Sequence, residues 1–350
     1  MRIAIVTSKV PFVRGGAEVH AEQLEAALVR AGHEVELIAI PFRWYPPEQL
    51  LDHLMACRLL NLDESNGTPI DRVIGLKFPA YHVKHPNKVL WILHQFRTAF
   101  DLWDGPEADL AYHPNGRQIR DAVVQVEQSL LPEARALYAN SRNVADRLMK
   151  HCGIPSEPLY HPPQDAALFA TAPAEDYFYY PSRLAPLKRQ ALVIEALGYC
   201  KQPVQVVFSG KPDTPDYGRT LEQLAARFKV DKHIRWEGMV SEERKRRLYA
   251  GSLGILFPPQ DEDYGYVTLE AMLSSKPVIT CTDSGGPLEF VRDGETGLVC
   301  EADPRALAGA MDRLWKERSF AREAGEAARE RYHAMRISWD HVVEVLTDAH

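Results

Sequence analysis

Short apolar runs alternate with amphipathic helical periodicity in two successive series, and this alternation limits the folds open to the chain more than any other feature. Ile3-Ala4-Ile5-Val6 is a continuous apolar run of the kind that sits in a parallel sheet covered on both faces. A loop with Gly15 and Gly16 follows. Ala17, Ala21, Leu24 and Leu28 then recur at three- and four-residue spacing, as on one face of a helix. Gly32 stops that helix, and Val35 to Ile40 is a second strand. The unit spans about forty residues, the size of a right-handed parallel crossover. Further strands fit 72–76, 88–93 and 136–139. Trp44, Tyr45, Leu50, Leu51, Leu54, Met55, Leu59 and Leu60 fall between 41 and 61. They read as a helix packed on the sheet, with an exposed acceptor or membrane-contact helix as the other reading.

Pro155, Pro158, Pro162, Pro163 and Pro173 then crowd one short stretch, the composition of a linker or hinge. A second alternating series follows it. Strands are predicted at 177–180, 204–208, 234–236, 253–257, 277–280 and 297–300, with helices at 190–199, 220–228, 241–249 and from Thr268. The expectation is an α/β chain of two Rossmann-like, doubly wound domains facing a cleft, 1–163 and 164–336. A ligand of such a fold sits at the carboxyl ends of the strands.

At 350 residues the chain has room for both domains, and its net charge of −7 argues against a dedicated nucleic-acid binder. The five cysteines are odd in number and widely spaced, with no Cys-x-x-Cys pair. Neither a disulfide framework nor a zinc site is expected, and the inferred compartment is reducing. The apolar opening reads as a buried first strand rather than a signal peptide, and no run is long enough to span a membrane.

Four segments carry the candidate chemistry. In Asp261 to Glu270, two carboxylates, Glu262 and Glu270, flank Tyr264-Gly265-Tyr266 at the start of a helix. A helix N-terminus suits an anion such as a diphosphate, while carboxylates accept hydrogen bonds from sugar hydroxyls. The segment therefore proposes a nucleotide-sugar site, although a solvated acidic loop reads the same way. Gly15-Gly16-Ala17-Glu18 opens the first helix, where glycine allows close backbone approach to a phosphate; a simple turn is the alternative. Arg183 and Lys188 leave the same strand end and are expected to converge on one diphosphate, Arg as a bidentate donor and Lys as a compact charge, with a surface basic loop as the alternative. His94 follows a buried strand and faces the expected ligand edge, although a lone histidine is often structural.

Taken in order, these elements resemble the family 4 glycosyltransferases of the GT-B fold, a large group of retaining, nucleotide-sugar-dependent enzymes. The resemblance runs over nearly the whole chain. It rests on Gly-Gly-Ala-Glu at 15–18, His94, Ser182-Arg183 with Lys188, and Phe208-Ser209-Gly210. It continues through Glu237-Gly238-Met239-Val240, the Glu262-x7-Glu270 pair, Ser284-Gly285-Gly286 and the closing Ile337-Ser338-Trp339.

The resemblance implies a hexosyltransferase. Arg183 and Lys188 would hold the donor diphosphate and Glu270 the ribose hydroxyls. Glu262, with backbone N–H groups near Gly265, Tyr266 and Val267, would hold the sugar and phosphates. Gly15 and Gly16 would close over the phosphate, His94 would contact the transferred sugar, and Gly210 and Val240 would border the nucleotide. Tyr264 joins the donor-binding set, and a closing helix at about 337–350 would pack on the N-terminal domain. Tyr266 and Thr268 are unusual for that segment and leave the donor's identity open.

The implied partners are a UDP- or GDP-sugar and a glycan or lipid-linked acceptor, in cell-surface polysaccharide or glycolipid assembly. The implied location is the cytoplasm, with peripheral association at the inner face of the plasma membrane where the acceptor is lipid-linked. No cofactor or metal is expected, because Arg183 and Lys188 supply the positive charge. Two departures stay open: Asp261-Glu262-Asp263 matches the Asp-x-Asp metal signature of another fold, and His20 stands where inverting relatives place a general base. A nucleotide-sugar 2-epimerase and a non-catalytic binding module are the other functional classes.

Overall fold

The expected alternation folds into two six-stranded, wholly parallel sheets. The structure, a computed structural model, describes residues 1–105 and 107–348. Chain contacts divide it into two units, Met1–Gln164 together with Ser338 onward, and Asp165–Ile337. In the first unit the strands are β1 (Arg2–Lys9), β2 (Glu34–Pro41), β5 (Arg72–Gly75), β6 (Lys88–Ile92), β7 (Ala136–Ala139) and β8 (Glu157–Pro158). A small antiparallel hairpin, β3 (Glu64–Ser65) and β4 (Thr68–Pro69), stands apart from that sheet. The sheet order is β2-β1-β5-β6-β7-β8.

The second unit carries β9 (Phe178–Pro181), β10 (Val206–Ser209), β11 (Ile234–Trp236), β12 (Gly254–Leu256), β13 (Val278–Cys281) and β14 (Gly297–Cys300), in the order β11-β10-β9-β12-β13-β14. Relabelled within each sheet, the orders are 2-1-3-4-5-6 and 3-2-1-4-5-6. Each sheet therefore grows outward in both directions from its first strands, and the direction reverses at one point. In the first sheet the switch lies between β1 and β5, and in the second between β9 and β12. The loops leaving the carboxyl ends of those strands diverge there and open a crevice, which is why ligands of open α/β sheets collect at that point.

Local sequence explains the elements. Val73, Ile74, Val89, Leu90, Trp91 and Ile92 are fully buried, as expected of central strands with helices on both faces. The first helix, Gly16–Arg30, buries His20, Ala21, Leu24, Ala27 and Leu28. The helix Pro215–Phe228 starts five residues before the predicted Thr220. Thr214 caps it through Tyr217 N–H, and Pro215 occupies the first turn, where a missing N–H costs nothing. The last helix, Trp339–Asp348, packs Val342, Val343 and Leu346 into the same core as Leu24 and Leu28. Ala349 and His350, the end of the expected 337–350 segment, lie outside the described residues.

The structure corrects both readings of His20, as a general base and as a residue on an outward helix position. His20 is 1% exposed and its Nδ1 lies 3.0 Å from Nε2 of His161, itself 1% exposed. The rings of Trp91 and Trp339 close the pocket at 4.3 and 6.2 Å from the His20 ring. Burial lowers the His20 pKa to about 3, so the ring is neutral and enclosed at neutral pH. A group sealed in the core cannot reach an acceptor hydroxyl, which removes the basis for an inverting reaction through His20.

The 41–61 segment divides between its two readings. The helix Gln49–Leu59 buries Leu50, Leu54 and Cys57, while Leu51, Met55 and Leu59 form an exposed stripe at four-residue spacing. Trp44, Tyr45 and Leu60 are exposed beside it in sequence. Among the described residues, no helix is long and apolar enough to cross a membrane, and all five cysteines are free thiols.

Candidate active site

Both switch points are bridged by an ion pair at the carboxyl edge. In the second unit, the loop after β9 carries Lys188 and the loop after β12 carries Glu262, and Lys188 Nζ donates to the Glu262 carboxylate. The pair is mostly buried, at 18% and 20% side-chain exposure. Lys188 Nζ also lies 5.6 Å from the centre of the Phe257 ring. The Tyr180 hydroxyl donates to the Lys188 carbonyl, fixing the backbone beneath the ammonium. A lysine held by a carboxylate, an aromatic face and an anchored main chain keeps its position with little entropy left to lose on meeting an anion.

The acidic loop is held from the other side as well. Glu262 N–H donates to the Ser284 carbonyl at 3.0 Å, and Gly286 N–H donates back to the Glu262 carbonyl at 2.8 Å. A Cβ at Gly286 would lie 2.7 Å from the Tyr264 carbonyl oxygen, so only glycine allows the two loops to run this close. The helix after Glu262 spans Tyr266–Leu273, two residues earlier than the predicted Thr268, with Gly265 as its N-cap in the left-handed region at φ 86°. Tyr266 and Val267 thus form the first turn, where helix N–H groups point outward. Tyr264 is buried, with ring centroids 5.3 Å from Tyr266 and 5.7 Å from Phe290. Burial first, then the Glu270 charge, raises the Tyr266 hydroxyl pKa, so this group remains a neutral donor.

Glu270 lies one turn further along the helix and is 7% exposed. Its Oε1 accepts from Lys245 Nζ at 2.9 Å and its Oε2 from the Tyr249 hydroxyl at 2.6 Å. Each carboxylate oxygen has a second lone pair, so a hydrogen-bonded Glu270 keeps acceptor capacity for a ligand hydroxyl.

The expected convergence of Arg183 with Lys188 is absent. Arg183 Nε pairs with Asp213 at 3.1 Å and its side chain is 67% exposed. Backbone pairing of Leu184 with the 211–213 segment sets this arrangement: Leu184 N–H donates to the Lys211 carbonyl and Asp213 N–H donates to that of Leu184. The Asp213 carboxylate is thereby carried alongside the guanidinium. Gly210, at φ 133°, packs so tightly that a Cβ would lie 2.0 Å from the Ser182 carbonyl oxygen, and its N–H donates to Gly238 at 2.8 Å. The loops after β9, β10 and β11 are thus knitted together, with Val240 half-buried two residues beyond Gly238.

In the first unit, Gly15 is the N-cap of the first helix and Gly16 its first residue. Gly15 N–H donates to Glu18 Oε2 at 2.8 Å, and Glu18 Oε1 lies 3.8 Å from Lys77 Nζ in the loop after β5. This pair spans the first switch point as Lys188 and Glu262 span the second. His94 follows β6, with Nδ1 2.7 Å from the Gln95 carbonyl oxygen. Only an N–H can satisfy that carbonyl, so the neutral ring carries its proton on Nδ1. Among the described residues no three His, Cys, Asp or Glu side chains gather as a metal site. Glu262, the middle residue of Asp261-Glu262-Asp263, is engaged by Lys188.

Sequence reasoning missed Lys77, Asp213, Lys245, Tyr249 and Phe257. Lys245 and Tyr249 stand four apart on one helix face, so their pairing with a common partner was detectable in principle. The other three depend on which strands are neighbours.

Residues 168–331 match the family model described as "Glycosyl transferases group 1". The chain is 29% identical over 284 residues to a D-inositol 3-phosphate glycosyltransferase of Geodermatophilus obscurus, covering 74% of this chain and 61% of that protein. It thus spans less than two thirds of this relative's length. Its fold is similar to sucrose-phosphate synthase from Thermosynechococcus elongatus, with a TM-score of 0.79 at 20% identity over 99% of this chain and 97% of the other. It is also similar to Anabaena HepE in complex with UDP-glucose, with a TM-score of 0.73 at 17% identity over 99% and 98%. These likenesses place the two doubly wound sheets in the GT-B fold, and it is the second unit, through residues 168–331, that matches the group 1 glycosyltransferases.

Proposed function

We propose that the protein is a retaining glycosyltransferase that moves a hexosyl unit from a UDP- or GDP-sugar to a glycan or lipid-linked acceptor. The observation that carries this reading is the Lys188–Glu262 pair across the second switch point, beside the N-terminus of the helix Tyr266–Leu273. In the proposal, donor diphosphate displaces the Glu262 carboxylate from Lys188 and meets the first-turn N–H groups. Glu262 is then released to accept hydrogen bonds from the sugar. Glu270, already oriented by Lys245 and Tyr249, takes the ribose hydroxyls. Arg183 leaves Asp213 to join the diphosphate, which its exposure permits. Gly210 and Val240 border the nucleotide, and Gly15, Gly16 and His94 are further proposed donor contacts.

The chemistry follows the charge. As the bond from the anomeric carbon to the phosphate oxygen breaks, the sugar becomes oxocarbenium-like and the diphosphate becomes more negative. In the proposal Lys188 and the helix dipole face that negative charge, and Arg183 joins them once it leaves Asp213. The acceptor oxygen bonds to the anomeric carbon on the face the phosphate leaves, and its proton passes to the departing phosphate oxygen. No protein base is required, in keeping with the burial of His20. In this reading no metal is required either, since protein cations meet the charge.

The test is thermal stability against UDP-, GDP-, ADP- and dTDP-sugars with chelator present, followed by the anomeric configuration of the transfer product. One donor at a hundred times its dissociation constant is expected to add about 2.7 kcal/mol. No shift with any donor, with or without Mg²⁺, would revive the binding-module class and other chemistry. An inverted product would overturn the retaining step, and sugar isomerisation without an acceptor would favour the epimerase.

A peripheral membrane contact belongs to the same proposal. Leu51, Met55 and Leu59, exposed on one helix beside Trp44 and Tyr45, are the apolar and aromatic groups that enter a lipid interface. Co-sedimentation with anionic phospholipid vesicles is expected for the intact chain and reduced at least fivefold in Met55→Glu with Leu59→Glu. Equal sedimentation of both would assign the stripe another role.

A further inference from the structure

The helix Gly116–Leu130 places one carboxylate, Glu127, in the interior of the first unit, where it is 0% exposed. Two donors meet it. The Tyr81 hydroxyl, from the turn after β5, lies 2.5 Å from Oε1, and the Gln95 side-chain amide, from the loop after β6, lies 2.5 Å from Oε2. Gly75 allows this approach, since a Cβ there would lie 2.9 Å from the Tyr81 Cα. The Gln95 amide also reaches Cys152 Sγ at 3.2 Å, from the helix Arg142–Cys152. Tyr81 and Cys152 are the titratable groups that face Glu127 from these elements, and no basic side chain among the described residues bonds to it.

Such a carboxylate is costly to bury, and two donors aimed at its two oxygens favour the anion. Each oxygen then accepts one strong hydrogen bond, whereas a protonated carboxyl has to turn the Tyr81 hydroxyl from donor into acceptor. Gln95 Oε1 is buried without a hydrogen-bond partner, so the amide is oriented by its N–H side alone. Gln95 is adjacent to His94, and its main-chain carbonyl accepts from the His94 ring. The Gln95 side chain thus ties the loop bearing His94 to the interior, while the Gln95 backbone fixes the His94 ring.

We infer that Glu127 and Gln95 are positioning residues for His94, with the Glu127 carboxylate anchoring the Gln95 side chain and, through it, the loop after β6. This inference rests on the proposed contact of His94 with the transferred sugar. Burial, opposed by the Tyr81 and Gln95 hydrogen bonds, raises the Glu127 pKa to about 7. Protonation places an O–H on Oε1, which donates to the Tyr81 oxygen, and turns the charge-assisted bond from Gln95 to Oε2 into a weaker neutral one. The anchor is therefore strongest above neutral pH and weakens as the pH falls through 7.

The test combines a titration with kinetics on the full chain. With ¹³Cε1-labelled histidine, the His94 resonance is expected to show an inflection near pH 7 beyond its own titration, absent in Glu127→Gln. UDP-glucose hydrolysis, followed as UDP release, is expected to show an acid limb at the same pH. In Glu127→Gln that limb is absent, kcat at pH 8 falls about tenfold and KM for UDP-glucose is held within twofold. If Glu127→Gln does not fold, Tyr81→Phe serves. It removes one hydrogen bond to the anion, so the inflection moves upward by about one pH unit. Retention of the inflection in Glu127→Gln, or an unmoved inflection in Tyr81→Phe, overturns the inference. Wild-type turnover in His94→Ala would instead overturn the sugar contact, and the ¹³C titration would still test the anchor by itself.

Discussion

Lys188→Ala is expected to lower kcat by roughly 10²–10³-fold, the loss typical when one preorganised donor is removed from a developing oxyanion. The ammonium is held between Glu262 and the Phe257 ring, so no other described cation occupies that place in the loop after β9. Truncation also removes the cation that faces Glu262 beside the proposed diphosphate, where the carboxylate charge then repels the donor. KM for the donor should therefore rise as kcat falls. The fold should tolerate the change, because the pair lies in loops at the strand ends and retains some solvent access. The check is steady-state kinetics beside a melting curve. Turnover within a few-fold of wild type, in a variant of unchanged melting temperature, would remove Lys188 from the chemistry.

Acid should destabilise the protein before its exposed carboxylates protonate. His20 and His82 are buried with pKa values lowered to about 3, and His161 is lowered as well. Burial is the leading cause for each. For His82, Lys88 and Arg58 add to it, and for His161 the neighbouring His20 does. A histidine with a lowered folded-state pKa binds fewer protons folded than unfolded. Its contribution is therefore complete above the unfolded value near 6.5 and is lost as the pH falls toward 3. By pH 5 the loss is about 2 kcal/mol each for His20 and His82, at 1.36 kcal/mol per pH unit, and His161 adds in the same direction. Glu127, whose folded-state pKa is raised to about 7, works the other way over this range and offsets about one histidine. Urea unfolding should therefore give a stability at pH 5 lower than at pH 7.5 by about 2 kcal/mol or more. His20→Asn with His161→Gln places non-titrating amides near the bonded nitrogens and should flatten the dependence. An equally steep dependence in that double variant would place the acid sensitivity elsewhere.

The fold was largely legible in the chain because continuous apolar strands and three- and four-residue helical spacing are local signals. Ile3 to Val6 and Val89 to Ile92 announce buried parallel strands by composition alone. Element ends were less legible. The helix Pro215–Phe228 begins at a Thr-Pro cap rather than at its first apolar repeat, and the acidic-segment helix begins at Gly265 because glycine accepts a positive φ.

The candidate site divides along the same line. Glu262, Gly265 and Glu270 lie within one segment, so their grouping is a matter of spacing and could be read without coordinates. The pairing of Lys188 with Glu262 joins residues 74 apart, and it exists because β9 and β12 are neighbours at the point where the strand order reverses. Arg183 lies only five residues from Lys188, yet it turns to Asp213, because β9 also borders β10 on its other side. His20 matched an outward helix position in the sequence but lies in the core, where His161 and Trp339, both remote in sequence, enclose it. Periodicity states that a residue lies on a helix face. It does not state what packs against that face, because the partner is brought there by chain closure over more than a hundred residues.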